Sequence, residues 1–315
     1  MQSDRAEHPI YPFPPIGSRQ ALARILRCSI EDLTCIEGST DLRYRTKKML
    51  KKDGTIRICY DAKPPLKAMQ ARIKCLILKR VTYPSYLMGG LSERDYVRNA
   101  KVHAGARVLV NEDISRFFPS TSSAVVLDIW RLFFHFPDEV ARTLTRLTTR
   151  KGELPQGAKT SSYLSNLVFW SMEPGMVAML RSMGFEYTRY IDDVTISSRT
   201  DRSNEELAYV FVPLASMIKR HGLRFRRSKH RLAYAGQRME VTGLVVGEQS
   251  AGLGRTKRSG VRALVYQCEA NALIDSSSPQ LSAMRQRAAS LVGQYSRLHP
   301  GQGNLLKRRL KALSK

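Results

Sequence analysis

Two adjacent acids, Asp192 and Asp193, are the residues whose type and spacing most directly suggest chemistry. They interrupt the stretch FEYTRYIDDVTIS (Phe185 to Ser197), in which Tyr187, Arg189 and Ile191 alternate with Thr188 and Tyr190 before Val194, Thr195 and Ile196 resume the pattern. A period of two, rich in aromatic and β-branched residues, reads as a strand. Adjacent acids are poor strand formers, so the economical reading is a hairpin with the carboxylates at its tip. Carboxylates held together on a rigid hairpin offer hard oxygen donors to a divalent cation such as magnesium. An ordinary turn could carry the same Tyr-x-Asp-Asp string, so a third acid and a phosphate-handling apparatus elsewhere must decide between the two.

Candidates for both exist. Asp113 closes an apolar strand that begins near Arg107 and is followed by Phe117, Phe118 and Pro119. That is where a metal ligand would sit, and also where a helix N-cap would sit. In GELPQGAKTSSYLSNL (Gly152 to Leu167) a Pro-Gln-Gly turn enters a helix opened by Thr160, Ser161 and Ser162. Such a junction presents backbone N–H groups to a nucleotide or template strand, or is simply a loop meeting a helix. The block Tyr44 to Tyr60 has Asp53-Gly54 as a hairpin turn between two short strands, with Lys47, Lys48, Lys51 and Lys52 before it and Arg57 after it. These cations either protect a solvated edge or grip a triphosphate. His103, before the Arg107 strand, reads alone as a structural histidine.

Composition narrows the classes. Among 315 residues Lys and Arg total 52 against 27 Asp and Glu, a net charge of +25. An excess that large points to a polyanionic partner, nucleic acid above all. The five cysteines are scattered without a CxxC pair, so neither a disulfide framework nor a zinc site is expected, and a reducing cytoplasm fits. No apolar run approaches a membrane span, the N-terminus lacks a signal-peptide apolar region, and the histidines form no HExxH.

The elements that must position these groups follow in order. A Pro-rich start leads to a helix over Gln20–Leu26 and a second capped by Ser29. Leu66 to Leu78 has apolar residues at helical spacing and is expected to pack under the basic hairpin. Helical segments over Val125 to Leu147 break near Pro137, and Asn204 to His221 is amphipathic. Gly222 to His230 is expected to turn back as a basic strand, and Glu240 to Val246 as a short strand pair. From residue 251 onward Lys and Arg outnumber Asp and Glu by 12 to 2, over helical stretches near 256–273, 279–293 and 303–313. The charge is therefore expected to concentrate in a helical nucleic-acid-gripping module.

The order of these pieces resembles the reverse transcriptases, from about Tyr44 to the end. Asn-Ala-x-x-His (Asn99 to His103), Val241-Thr242-Gly243 and the compact length resemble the retron branch in particular. The resemblance implies an α+β right-hand polymerase with an antiparallel palm sheet. Fingers would occupy residues 1–104, the palm 105–247 with a helical fingers insertion about 121–150, and a basic helical thumb 248–315.

It further implies a carboxylate triad of Asp113, Asp192 and Asp193, with the Ile114 carbonyl as a further ligand to two Mg2+ ions, Mn2+ being a possible substitute. Phe118 matches the steric gate against a 2′-hydroxyl, with Phe117 as its neighbouring rival. Arg57 with Lys51 or Lys52 matches the triphosphate clasp, and Gln156 and Gly157 the loop against the nascent base pair. Lys229, crowded by Arg226, Arg227 and His230, matches the lysine that protonates departing pyrophosphate. Thr242 and Gly243 sit where the primer grip lies. Asn99, His103, Arg255, Lys257, Arg258, Arg262, Lys307, Arg308 and Arg309 would face RNA or DNA. Lys159 stands where proline is usual in the family, so the template-facing loop is expected to differ locally, and Gly247 stands where asparagine is frequent.

The implied activity is synthesis of DNA from deoxynucleoside triphosphates on a cognate structured non-coding RNA. In retrons this starts from a guanosine 2′-hydroxyl and gives a branched RNA–DNA molecule, msDNA, used in anti-phage defence beside an effector protein. Rival expectations are a group II intron-like or diversity-generating enzyme, and an RNA–DNA-binding scaffold that restrains an effector.

Overall fold

The computed structural model describes residues 7–51, 54–275 and 278–313. Lys52 and Asp53, expected at the clasp and turn of the basic hairpin, lie outside the described residues. The chain packs as two compact units, one drawn from Met1–Asp95 and Val108–Leu232, the other from Tyr96–Arg107 and Ala233–Lys315. These packing units do not follow the anticipated divides after residues 104 and 247. The reason is that helix α4 (Tyr96–Val102) packs on strands that come long after it in the chain.

The first unit begins with two capped helices, α1 (Arg19–Leu26) and α2 (Ile30–Gly38). The hydroxyls of Ser18 and Ser29 accept from the N–H groups of Ala21 and Asp32, satisfying first-turn donors. A two-stranded antiparallel hairpin follows, β1 (Tyr44–Leu50) and β2 (Ile56–Ala62), with Tyr44 opposite Ala62 and Leu50 opposite Ile56. Helix α3 (Leu66–Leu76) buries Leu66, Met69 and Ile73. All these match the expected elements.

Strand β3 (Val108–Asp113) enters the central sheet, and α5 (Phe117–Ser120), α6 (Ser123–Asp128) and α7 (Asp138–Thr148) carry the chain away from it. A one-turn π-helical stretch over Ile129–Phe133 and a cluster of Trp130, Phe133, Phe134 and Phe136 mark the break expected near Pro137. Helices α8 (Ser161–Leu167) and α9 (Glu173–Ser182) then return to the sheet. The hairpin β4 (Phe185–Tyr190) and β5 (Asp193–Ser198) completes its centre, and α10 (Asn204–Arg220) starts from a capping box of Ser203 and Glu206. With β6 (Arg231–Tyr234), into which this unit ends, the strand order is β4-β5-β3-β6. Val108, Val110, Tyr187, Val194 and Ile196 are buried in it.

One expectation fails here. Residues 222–230 are not a strand: only Phe225 bridges to Ile114, and Arg227–Lys229 form a 3-10 turn before β6 begins. Leu223 and Phe225 alternate with Arg224 and Arg226, but from Arg227 to His230 no apolar residue follows, so the pattern is too short to sustain a strand. Its side chains are drawn instead to the acids at the end of β3.

In the second unit, β7 (Glu240–Val241), β8 (Leu244–Val246) and β9 (Ala251–Gly252) form a small antiparallel sheet on which α4 packs. Three long helices, α11 (Arg255–Ile274), α12 (Pro279–Leu298) and α13 (Pro300–Ala312), then form a bundle. Val261, Val265, Cys268, Leu281, Ala288, Val292, Tyr295, Leu306 and Leu310 make its core. Among the described residues no helix is long and apolar enough to cross a membrane.

Candidate active site

Register brings the acids together. In the antiparallel pairing of β3 with β5, Asp113 lies opposite Asp193, and across the hairpin Asp193 lies opposite Tyr190. Ile191 and Asp192 are thus the two residues of a tight turn, and the Ile114 N–H donates to the Asp192 carbonyl at 2.8 Å. Asp113 is buried, while Asp192 and Asp193 are partly exposed. Asp113 is a strand-end residue rather than a helix cap: Arg116 precedes α5.

The electrostatics are those of crowded carboxylates. Burial first, then the charge of Asp192, pushes the Asp193 carboxyl up to about 7; Asp113 adds to this through charge and a shared hydrogen bond, and Lys229 opposes it. Burial and Asp113 likewise raise Asp192, against Lys229 and Arg57. Asp113 is held by the Lys229 ammonium at Oδ2, while its Oδ1 lies 3.3 Å from Arg226 Nε without hydrogen-bond geometry. That oxygen is a buried acceptor still open to a partner. As the side chains stand, no three His, Cys, Asp or Glu among the described residues are gathered closely enough to hold an ion. The donor set itself, three carboxylates and a neighbouring carbonyl, is all hard oxygen and suits a divalent cation of the magnesium type.

Two neighbours shape the space around the acids. Arg57 is exposed on β2, yet its charge reaches Asp192. Lys51 starts the hairpin turn, donating its N–H to the Thr55 carbonyl at 2.8 Å. The Pro-Gln-Gly loop docks on this hairpin: Tyr60 N–H donates to the Gln156 carbonyl at 2.7 Å. Gly157 has φ +103°, and a Cβ there would stand 3.2 Å from the Tyr60 carbonyl. The close approach that needs glycine is therefore to β2. Of the two phenylalanines, Phe117 is buried and stacked on Phe169 at 5.9 Å, whereas Phe118 keeps part of its ring exposed. Only Phe118 has ring surface left open to solvent.

Sequence reasoning missed what holds the hairpin. Arg189, fully buried on β4, is paired with buried Glu173 at the start of α9: Nε–Oε1 is 2.6 Å and Nη2–Oε2 2.8 Å. Its Nη1 also donates to the Ile191 carbonyl at 3.1 Å and its Nη2 to the Asn166 carbonyl at 3.2 Å. Tyr187 Oη donates to the same Glu173. Ile191 has φ +61°, a strained place for a β-branched residue. Gly89 packs directly on this turn, since a Cβ would meet Ile191 Cγ1 at 2.6 Å. The Gly89 carbonyl in turn accepts from Asn166 Nδ2 at 2.8 Å.

The remaining expected contacts sit in the second unit. Asn99 and His103 are buried there, and burial pushes the His103 imidazole down to about 3. Their side chains are not presented to a nucleic acid in this structure. Thr242 (φ +47°) and Gly243 (φ +81°) form the turn between β7 and β8; Thr242 Oγ1 donates to the Tyr96 carbonyl, and the Gly243 carbonyl accepts from Lys257 Nζ at 2.5 Å. Arg255, Arg262, Lys307 and Arg308 are exposed, and Arg258 is half-buried. Arg309 is committed to Glu269 across the bundle, with Nε–Oε1 at 2.7 Å and Nη2–Oε2 at 2.5 Å.

Comparison with known proteins adds the following. Residues 49–262 match the family model described as reverse transcriptase (RNA-dependent DNA polymerase). The retron Se72 reverse transcriptase of Salmonella heidelberg (strain 579083-10) is 33% identical over 288 residues, covering 90% of this chain and 76% of that protein. The retron Ec86 reverse transcriptase of Escherichia coli is 29% identical over 259 residues, covering 81% and 79%. The retron Ec48 reverse transcriptase of Escherichia coli is 31% identical over 265 residues, covering 80% of this chain and 64% of its own length. Among solved structures, a telomerase from Candida albicans in complex with a TWJ fragment of telomeric RNA aligns at a TM-score of 0.47 and 12% identity, covering 86% of this chain and 56% of that one.

Proposed function

The chain belongs to the retron reverse transcriptases, and on that premise we propose that it copies a cognate structured non-coding RNA into DNA at the Asp113–Asp192–Asp193 cluster. The observation that carries this reading is the register of β3 on β5, which sets Asp113 opposite Asp193 beside the Asp192 turn. Reverse transcriptases use divalent cations, and Mg2+, or Mn2+ in its place, would be held by these three carboxylates with the Ile114 carbonyl. Two bound ions would activate the primer hydroxyl and neutralise charge on the leaving pyrophosphate.

The chain's own residues do the rest by positioning and electrostatics. Arg57 and Lys51, with Lys52, clasp the triphosphate. Phe118 lies under the sugar and leaves no room for a 2′-hydroxyl. Gln156 and Gly157 hold the base-pair side of the pocket against β2. Lys229 gives a proton to the departing pyrophosphate. Asn99 and His103 act on the nucleic acid only indirectly, by fixing α4 under the Val241-Thr242-Gly243 turn. Arg255, Lys257, Arg258 and Arg262, with Lys307 and Arg308, grip phosphates of the RNA or its hybrid; Arg309 braces their helix. Fingers (1–104), palm (105–247) and thumb (248–315) name these functional regions. The product is msDNA, branched from a guanosine 2′-hydroxyl, made in the cytoplasm for anti-phage defence alongside an effector protein.

The test is to purify the chain with the RNA that accompanies it, sequence that RNA, and supply deoxynucleoside triphosphates with Mg2+. The expected result is DNA joined to one RNA through a 2′ linkage. Extension that is template-independent, or that starts only from a free 3′ end, would overturn the retron assignment of the activity. Neutralising Arg255, Lys257, Arg258 and Arg262 should weaken RNA binding and flatten its salt dependence while sparing chemistry on an engaged primer.

A further inference from the structure

The acid before Asp113 and the residue after Lys229 form a second pair that the reaction does not directly use. Glu112 and Asp113 are consecutive on β3, so their side chains leave opposite faces of the sheet. Lys229 and His230 are consecutive on the facing segment and divide the same way. The Lys229 ammonium meets Asp113 on the active-site face, and His230 Nδ1 meets Glu112 Oε1 at 2.5 Å on the other. An ionised carboxylate can only accept, so His230 Nδ1–H is the donor.

The segment carrying this pair is anchored at its two ends. The Ser115 N–H donates to the Arg224 carbonyl at 2.9 Å and the Arg226 N–H to the Asp113 carbonyl at 2.8 Å, while β6 resumes pairing from Arg231. Between these ties the chain makes the 3-10 turn Arg227–Lys229, a bulge in the pairing with β3. Beside it opens a groove of about 1010 Å³, lined by Glu112, Phe225, Arg227 and His230 together with Ile218 and Leu223. Lys229 and His230 are each about half exposed, at 49% and 47% for their side chains, against 7% for Glu112. The buried acid is therefore the fixed point. The Phe211 ring of α10, edge-on to the imidazole at 5.9 Å, adds a second contact.

We propose that Glu112 and His230 are positioning residues that hold Lys229 on the active-site face. Any rotation of the bulge that releases Lys229 from the acids must also pull His230 from Glu112. The proposal rests on the reading above, in which Lys229 serves the leaving pyrophosphate. Misplacing a proton donor by about 1 Å can cost on the order of 10²-fold in rate.

The experiment is single-turnover nucleotide addition, separating the rate of the chemical step from nucleotide affinity. His230→Leu should slow the step about 10- to 100-fold, with affinity changed less than about threefold. His230→Asn, whose amide can donate from the Nδ1 position, and Glu112→Gln, which still accepts, should stay within a few-fold of the parent. In a Lys229→Met background, His230→Leu should add less than about twofold, because both changes disable one device. Multiplying losses in that background, or a His230→Leu enzyme at the parent rate, would overturn the proposal. A melting curve of each variant guards against unfolding, with His230→Gln as the alternative should His230→Leu not fold.

A readout independent of activity separates this proposal from the active-site reading. Acetylation of Lys229, followed by mass spectrometry, should quicken about threefold or more in His230→Leu, as the Asp113 pairing loosens, and stay unchanged in His230→Asn. Unchanged acetylation in both defeats the clamp. Quickened acetylation with a Lys229→Met enzyme at full rate keeps the clamp and defeats the role given to Lys229.

Discussion

The two hairpins of the first unit are built from the same kind of element and held in opposite ways. The β4–β5 hairpin is fixed from inside: a buried Arg189–Glu173 pair, a hydrogen bond onto the Ile191 carbonyl, and Gly89 pressed on the turn. The β1–β2 hairpin is exposed along β1 beyond Tyr44 and over the first three residues of β2. Its restraints lie near its base, where Tyr60 bonds to Gln156 and its ring is covered by the Arg150 guanidinium at 4.2 Å. A carboxylate cluster for metal ions tolerates little movement. A clasp that must admit and release a triphosphate requires it. Under the proposed function, the contrast in anchoring parallels that contrast in task.

Changes at the tips and bases of the two hairpins can break or sharpen this contrast. The largest effect should come from the rigid hairpin's own chemistry: Asp193→Asn is expected to reduce DNA synthesis by about 10³-fold or more. Its fold should be kept, because removing one of several crowded like charges relieves repulsion. Extension assays paired with melting curves check this. Next is the buried pair. Glu173→Ala leaves a guanidinium buried without its acid and should cost about 3–5 kcal/mol in urea unfolding. The exposed counterpart, the Lys47–Asp61 pair at 3.4 Å on β1 and β2, should lose less than about 1 kcal/mol on Lys47→Ala. Equal losses would erase the distinction between the two anchorages.

Arg57→Ala should raise the nucleotide KM about 10- to 100-fold while shifting stability by less than about 0.5 kcal/mol, as steady-state kinetics and melting would show. Phe118→Val should raise ribonucleotide relative to deoxyribonucleotide use about tenfold, measured with deoxyribonucleotide activity as the internal reference. The smallest effect on catalysis is expected at the base of the β1–β2 hairpin. Gly157→Ala, strained at φ +103° and crowding Tyr60, should cost about 1–3 kcal/mol or less, with a modest change in nucleotide affinity.

Both hairpins were legible in the sequence because strand alternation and turn residues are local signals. The resemblance to reverse transcriptases also pointed to Asp113 beside the Asp192–Asp193 pair, and register sets Asp113 opposite Asp193. The support behind these acids was not legible. Arg189 follows Tyr187 on the inward stripe of β4, which marks a buried charge, yet its partner Glu173 stands before Pro174 like any acid in a first helical turn. Pairing them needs the helix-to-sheet packing, which is not local. Gly89 has meaning only once Ile191 is known to lie against it. Asn99 and His103 form a visible string, but their burial depends on a sheet made from residues far along the chain. Arg309 looks like Lys307 and Arg308 in sequence, and differs only because the three-helix bundle brings Glu269 to it.

The composite make-up of the second unit bears on how the protein is made. Its α4 helix leaves the ribosome early, with Val97, Asn99 and Ala100 destined for burial, but the sheet that covers them follows much later. The Thr242 contact to Tyr96 spans 146 positions of sequence. Until that span has been synthesised, α4 has no surface to dock on, and closing so long a loop carries an entropic cost that short-range contacts avoid. The first unit can assemble around its own sheet in the meantime. A nascent chain stalled before residue 240 should therefore display the uncovered Val97–Ala100 face of α4, and a truncation that removes the basic helices together with the β7–β9 sheet cannot be treated as clipping an appendage.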